Sequence, residues 1–344
     1  MNEPIRIGIV GAGRIVRAEH IPRFRAIDGV ELVAVANRTP ASSRAAAAAL
    51  GIDRSFDDWR ALVADPEIDA VLVGAWPALH APVTIAALEA GKHVLTEARM
   101  AATAHDARAM RQASLARPDR VAMVVPATFS SWADATIVRL IADGAIGRVR
   151  HVQVSWDYSA PGDPGDAWRW QRRLSGDNVM ALGILAEAMA RWLGPARTLT
   201  AITRLGSVVR PSPAGPIEPD IPDHVMAMVE YPDDVTATIE MSARTNGLTS
   251  DHVTFHGTDG SLIVDLAAQQ IRHAPIGQPS EPVTIRDEDR AGWRAEIDFV
   301  AAIRGERPVT LTDFATGVSY MAFLEAVHRA ATDGRRTIIE GGRS

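Results

Sequence analysis

Ile5-Arg6-Ile7-Gly8-Ile9-Val10-Gly11-Ala12-Gly13-Arg14-Ile15-Val16 decides the fold. Its first six residues form an apolar run that reads as a buried strand. Gly11 and Gly13 follow at once, and an amphipathic stretch runs on to about Ala26. A strand, a G-x-G-x-x-V turn and a helix start, in that order, open a dinucleotide-binding βαβ unit. The first two glycines permit a tight turn. They let the backbone of Gly11, Gly13, Arg14 and Ile15 approach a pyrophosphate at the helix N-terminus. Val16 replaces the third glycine and asks for a wider helix–strand contact. The plainer alternative is a glycine turn that binds nothing.

Val30-Glu31-Leu32-Val33-Ala34-Val35-Ala36 reads as the second strand and is followed by Asn37-Arg38-Thr39. A dinucleotide fold commonly ends this strand in a carboxylate for the adenosine ribose hydroxyls. A carboxylate would repel a 2′-phosphate; Asn37 does not. Arg38 suits stacking on adenine or pairing with that phosphate, and Thr39 suits donating a hydrogen bond. The pattern predicts NADP(H) in preference to NAD(H), against the alternative that Arg38 is only a solvated loop residue. Ser42 or Ser43 is expected to cap a helix through residues 45–49, an alanine run of high helical propensity. Further apolar strands are expected at 70–74, 92–95 and 121–125, separated by helical stretches. This alternation implies α/β architecture: a Rossmann-type, doubly wound parallel sheet over residues 1–125.

Pro126 marks the crossing into a second domain, residues 126–344. After a helix from about Ala133, alternating strands are expected at 148–156, 198–207, 224–230, 235–242, 252–257 and 261–265. They imply an α+β domain with one open, mainly antiparallel sheet, through which a homodimer or homotetramer would assemble. Residues 176–193 read as helical, with Glu187 and Arg191 spaced for an i,i+4 ion pair. Trp156, Tyr158, Trp168, Arg169, Trp170, Arg172 and Arg173 crowd one loop. Aromatic faces suit sugar rings and arginines suit carboxylates or phosphates, although a subunit interface favours the same residues. His224, which opens a strand after the proline-rich stretch 210–222, is a further substrate-binding candidate or a structural histidine.

At 344 residues, two domains fit better than one. Hydrophobic residues at 47% and charged residues at 23% are ordinary for a globular protein. The net charge of -6 argues against a nucleic-acid partner. No cysteine is present, which excludes disulfides, thiolate nucleophiles and cysteine metal sites. None of the ten histidines has metal-ligand spacing, so no metal is expected. No basic leader and no run of about 20 apolar residues is seen, so no membrane association is expected and the chain is read as cytoplasmic.

Gly91-Lys92-His93-Val94-Leu95-Thr96-Glu97-Ala98-Arg99 resembles the fifth-strand signature G-K-H-V-L-x-E-K-P of the Gfo/Idh/MocA family of nicotinamide-dependent sugar oxidoreductases. The resemblance extends to Ala75-Trp76-Pro77-Ala78-Leu79-His80, which is similar to the family's T-P-P-x-x-H turn. It also covers the d-G-x-I-G stop at 143–147 and the Trp168-Arg169 pair, and so spans nearly the whole chain. It implies cofactor contacts from Trp76, Pro77, His80 and Glu97, with His80 equally readable as a capping residue. It further implies that a lysine, an aspartate and a histidine should handle protons. Those positions hold Ala98, Ala181 and Leu185, and the family's last aspartate position holds Ala188. Losing the whole set means that the usual mechanism is absent, and because general acid–base help is worth about 10²–10⁴-fold the change is not trivial.

Three functions remain open at this point. One is an NADP-dependent oxidoreductase with a proton relay through Arg99, Tyr158, Asn178 or water. Another is a cofactor-binding sensor or scaffold without turnover. The third is a lyase or hydrolase that uses bound cofactor transiently. The family's lysine–proline bond is commonly cis, but a cis bond before a residue other than proline costs about 2.5–4 kcal/mol. A trans Ala98–Arg99 peptide is therefore expected, with the Arg99 side chain shifted toward the vacated lysine position.

Overall fold

The computed structural model describes residues 3–158, 164–206, 209–244 and 251–340. Ser207, the last residue of one expected strand, lies outside them. The chain forms two compact units. One comprises Met1–Pro126, Arg173–Gly176 and Arg294–Met321; the other comprises Ala127–Arg172, Asp177–Trp293 and Ala322–Ser344.

The first unit is built on six parallel strands: β1 (Ile5–Val10), β2 (Val30–Ala36), β3 (Arg54–Phe56), β4 (Ala70–Val73), β5 (His93–Thr96) and β6 (Ala122–Val124). Their order is β3-β2-β1-β4-β5-β6, so the chain reverses direction across the sheet at β1. Apolar runs make the central strands: every residue of β4 is buried. Gly8 lets the helix Trp59–Ala64 pack closely on β1: a Cβ there would lie 2.8 Å from the end of the Leu62 side chain, which would have to shift. β3 escapes sequence reading because it has three residues and no apolar run. Four ladder bonds align the carboxyl ends of the strands. The amides of Gly11, Gly74, Glu97 and Val125 donate to the carbonyls of Ala36, Val10, Val73 and Thr96 at 2.8, 2.8, 2.9 and 2.8 Å. The glycine loop, the turn after β4 and the Glu97–Arg99 segment thus leave the same edge, where ligands bind in such sheets.

The second unit carries β7 (Val149–Asp157), β8 (Thr198–Arg204), β9 (His224–Glu230), β10 (Thr236–Ser242), β11 (His252–Gly257), β12 (Gly260–Asp265), β13 (Gln270–Pro275), β14 (Glu281–Pro282) and β15 (Thr337–Ile338). They form one sheet in the order β14-β13-β12-β11-β7-β10-β9-β8-β15. All pairs are antiparallel except β7 with β10. One face is covered: Trp192, on the helix Leu182–Leu193, meets Phe255 of β11 edge-on at 5.6 Å. On the other face Ile202, Met226 and Met228 are exposed.

The helix expected over 176–193 is shorter, Leu182–Leu193. Gly176 and Met180 both have positive φ, 67° and 45°, which no α-helix accommodates. Asn178 therefore does not sit one helical turn before Ala181, and its placement on a shared helical face with Leu185 is corrected. Among the described residues no helix is long and apolar enough to cross a membrane, and no group of three metal-ligating side chains is found.

Candidate functional site

Gly11 has φ 90°, and a Cβ on it would lie 2.6 Å from the Ala75 nitrogen, so only glycine fits. Gly13 differs. A Cβ there would meet nothing nearer than the Gly74 carbonyl oxygen at 3.9 Å, so the space above it is open. The chain is helical from Arg14 to Arg25, passing through a π-type stretch at Val16–His20. A tight first glycine, an open second glycine and a helix start fit a pyrophosphate.

Asn37 is tied into this loop. Its Oδ1 accepts the Ala12 amide at 2.8 Å, its Nδ2 donates to the Ser42 carbonyl at 3.1 Å, and its own amide donates to Ser43 Oγ at 2.9 Å. Arg17 braces the loop from the other side through Nε and the Ala12 carbonyl at 2.8 Å. Arg38 is exposed, with its guanidinium carbon 5.5 Å from the Trp76 ring centre. Thr39, not Ser42 or Ser43, caps the next helix, Pro40–Leu50. Thr39 and Ser42 form a reciprocal capping box, so the cap lies at the residue before Pro40, where proline favours the first helical turn.

Trp76 is the cap residue of the helix Pro77–Glu89. His80, in its first turn, is buried rather than capping. Its Nε2 faces the Ala75 carbonyl at 2.9 Å, and its Nδ1 faces the carbonyls of Arg99 and Met100 at 3.0 and 3.2 Å. Burial holds the ring below its ordinary pKa, against the pull of those carbonyls and of Glu97. The Met100 amide donates to the Tyr320 hydroxyl. The Ala98–Arg99 peptide is cis, not trans as local preference suggested. Distant partners, His80 and Tyr320, hold this segment; the local preference alone did not take them into account. Arg99 is buried.

Glu97 faces inward as well as along its strand end: Oε1 lies 2.9 Å from His20 Nε2, and Oε2 accepts the Ala98 amide at 3.1 Å. His20 was not singled out in the sequence. A usable signal was present, because His20 stands at i+4 between the apolar Val16 and Phe24, a spacing that faces a histidine into the core.

In the second unit the sequence candidates divide. Trp168 and Arg169 stay partly exposed on the 3₁₀ turn Pro164–Trp170, with the Arg169 guanidinium 4.3 Å over the Trp168 ring. Trp170 is buried beneath Arg210, whose guanidinium lies 4.4 Å from its ring. Arg172 pairs with Asp177 at 2.8 Å and donates its amide to Asp220 at 2.6 Å. The Tyr158 amide donates to the Ser242 carbonyl at 2.8 Å, which places Tyr158 just beyond the β7–β10 ladder. His224 begins β9, opposite Ser242 and Arg204. Asn178 is buried, as are Ala181, Leu185 and Ala188. Glu187 and Arg191 form the expected pair at 2.7 Å, wholly within this unit.

Residues 5–124 match the model of an oxidoreductase family with an NAD-binding Rossmann fold, and residues 135–263 match the GFO/IDH/MocA C-terminal domain. Levoglucosan dehydrogenase of Pseudarthrobacter phenanthrenivorans is 30% identical over 98% of this chain and 90% of its own length. The 1,5-anhydro-D-fructose reductase of Ensifer adhaerens is 30% identical over 98% of this chain and 99% of its own. A solved levoglucosan dehydrogenase complex with NADH and levoglucosan shares the fold, with TM-score 0.82 at 22% identity over 98% of this chain and 100% of that one. Fold and glycine loop together define a dinucleotide-binding Rossmann protein with a second, mainly antiparallel sheet domain. The chain belongs to the Gfo/Idh/MocA oxidoreductase family.

Proposed function

We propose that this chain is an NADP(H)-dependent oxidoreductase acting on a sugar-like or other hydroxyl- or carbonyl-bearing small molecule, with a proton relay unlike the family's usual one. The observation that carries the cofactor half is the open face of Gly13 at the aligned strand ends. Gly11, Gly13, Arg14 and Ile15 would hold the pyrophosphate, and Trp76 and Pro77 would line the nicotinamide ribose. Bound there, the cofactor would accept or deliver a hydride.

The preference for NADP(H) rests on the end of β2. The names of the relatives do not decide it, since one solved relative holds NADH and another relative is a D-xylose 1-dehydrogenase for NADP(+). Asn37 stands where a carboxylate would face the ribose, and its side chain is bonded to Ala12 and Ser42. Arg38, steadied over Trp76, would take the 2′-phosphate, and Thr39 would join it only by turning its hydroxyl away from Ser42. A charge-assisted contact is worth about 1.5–3 kcal/mol. Arg38→Ala is therefore expected to narrow the preference for NADPH over NADH at least about tenfold. Calorimetric titration with both cofactors checks this, and equal affinities in the unaltered chain would refute it.

A sugar-like substrate is supported by relatives named for levoglucosan and 1,5-anhydro-D-fructose. Trp168, Arg169, Trp170, Arg172 and His224 are the proposed substrate residues, with Trp168 and Arg169 the more accessible pair. Tyr158, Arg99 and Asn178 are proposed to serve in place of the missing acid–base groups. Arg99 stays protonated, so it would stabilise an oxyanion rather than act as a base. The outer face around Met226 and Met228 is the proposed homodimer or tetramer contact.

Because Ala98, Ala181 and Leu185 cannot take a hydroxyl proton, free aldoses and inositols are expected to turn over below the ordinary range of about 1–10³ s⁻¹. A spectrophotometric panel at 340 nm tests this, and turnover of a plain sugar within that range would refute the non-standard relay. Firm NADPH binding with no turnover on any substrate would favour a sensor, a reading that the buried, apolar Ala181 and Leu185 also suit.

A further inference from the structure

Three ionisable side chains meet inside the first unit. His20, on the helix that follows the glycine loop, is fully buried. Its Nε2 lies 2.9 Å from Glu97 Oε1, and its Nδ1 lies 2.6 Å from Oε1 of Glu296, on the helix Ala295–Ile303. Glu296 is fully buried too. Phe24, one turn further along the His20 helix, stacks on the imidazole with ring centres 6.4 Å apart.

A neutral imidazole carries a single N–H, so it would serve one carboxylate and turn a lone pair on the other. An imidazolium sets its charge against both carboxylates, hydrogen-bonding Glu97 through Nε2 and pairing with Glu296 across 2.6 Å at Nδ1. Burial opposes the charge, but the two carboxylates, Glu296 and Glu97, outweigh it through close pairing and negative charge and raise His20 to about 9. The charged groups facing the ring are Glu97 from the exit of β5 and Glu296 from its helix, and the ring's own helix offers the apolar Phe24. The Glu97 charge also acts on His80, which burial holds low.

The clamp acts on a segment the cofactor must meet. β2, on one side of β1, ends at the adenosine position. The nicotinamide half of a bound cofactor would then extend toward β4 and β5, which lie on the other side of β1. Glu97 leaves β5 there and accepts the Ala98 amide through its second oxygen at 3.1 Å. We propose that His20 is a positioning residue: as a cation clamped between Glu97 and Glu296, it holds the exit of β5 in the shape that receives the nicotinamide half of the cofactor. This rests on the cofactor assignment above.

The folded pKa lies above the unfolded value of about 6.5, so the folding stability the charge contributes is complete below that pH and lost as pH rises through about 9, while in the folded chain the ring itself keeps its charge up to about one pH unit below 9. NADPH binding by the full chain, measured by calorimetry from about pH 6.5 to 10, should be flat up to about pH 8 and weaken about tenfold through pH ~9. In His20→Gln, binding at about pH 7.5 should already be roughly tenfold weaker, with no step at higher pH. In Glu296→Gln the step should move to lower pH. Ring-proton NMR gives the His20 midpoint without any ligand.

A midpoint near the ordinary ~6.5 overturns the proposal. So does a His20→Gln chain that binds NADPH as the unaltered chain does, and so does a pair of variants that merely melt earlier with the pH step intact. If His20→Gln fails to fold, Glu296→Gln and the NMR midpoint still decide. Absence of NADPH binding by the unaltered chain at every pH overturns the cofactor assignment instead, and the NMR midpoint still tests the clamp.

Discussion

Arg191→Met is expected to cost about 3–5 kcal/mol of folding stability, the usual penalty for stripping the partner from a buried charge. The Glu187 side chain is fully buried, and its Oε1 receives Arg191 Nη1 at 2.7 Å and the Ala127 amide at 3.0 Å. Arg191 also reaches Asp134 at 3.0 Å, the Ala127 carbonyl at 2.9 Å and Ser130 Oγ at 3.3 Å. Met keeps the apolar stem and removes the cation, so the loss reports electrostatics more than packing. Glu187→Gln keeps an acceptor for both donors and should cost clearly less, about 1–2 kcal/mol. Urea unfolding curves with matched slopes measure both. A loss below about 1 kcal/mol in Arg191→Met would show that the buried carboxylate is neutral or compensated elsewhere.

The second large effect separates two glycines that look alike in the sequence. Gly11→Ala should damage both fold and binding. Its positive φ costs about 1–3 kcal/mol for a residue with a side chain. Its Cβ would also press on the backbone of Ala75 at 2.6 Å and of Gly74 at 2.8 Å. Together these predict NADPH affinity down roughly 100-fold and a clear fall in melting temperature. Gly13→Ala should leave the melting temperature of the free protein close to unaltered, because nothing lies within 3.9 Å of the new methyl group. Its affinity should still fall, because the methyl enters the space proposed for the pyrophosphate. Thermal melts with and without NADPH read both quantities. If Gly13→Ala melts normally and binds NADPH as well as the unaltered chain, the loop is not the pyrophosphate site.

Much of the architecture was legible locally. The run at β4 is apolar and buried throughout, and β1 and β2 are apolar past Arg6 and Glu31 and buried toward their carboxyl ends, as strands between two layers of helices are. Six strands of the second sheet show the alternation of a sheet with one covered face, and β9 places Val225, Ala227 and Val229 inside and Met226 and Met228 outside. The short strands β3, β14 and β15 were missed because two or three residues carry no period, and β13 was missed because Ile271 is its one buried residue and no alternation shows. The helix start before Leu182 was misplaced because Gly176 and Met180 take up left-handed conformations that apolar patterning does not encode.

The candidate site divides in the same way. The glycine spacing, the missing carboxylate after β2, and the Glu187–Arg191 pair are all set within a few residues of chain, so the sequence by itself determined them. Asn37 bonded to Ala12 joins residues 25 apart. His20 bonded to Glu97 joins residues 77 apart, and Tyr320 reaches Met100 across 220. Such contacts arise only when the parallel sheet gathers its strand ends on one edge and the closing helices return to it. Which polar groups become buried together, and therefore which of them carry charge, was decided by the tertiary structure. Desolvation and hydrogen bonding act through space and do not follow the order of the chain.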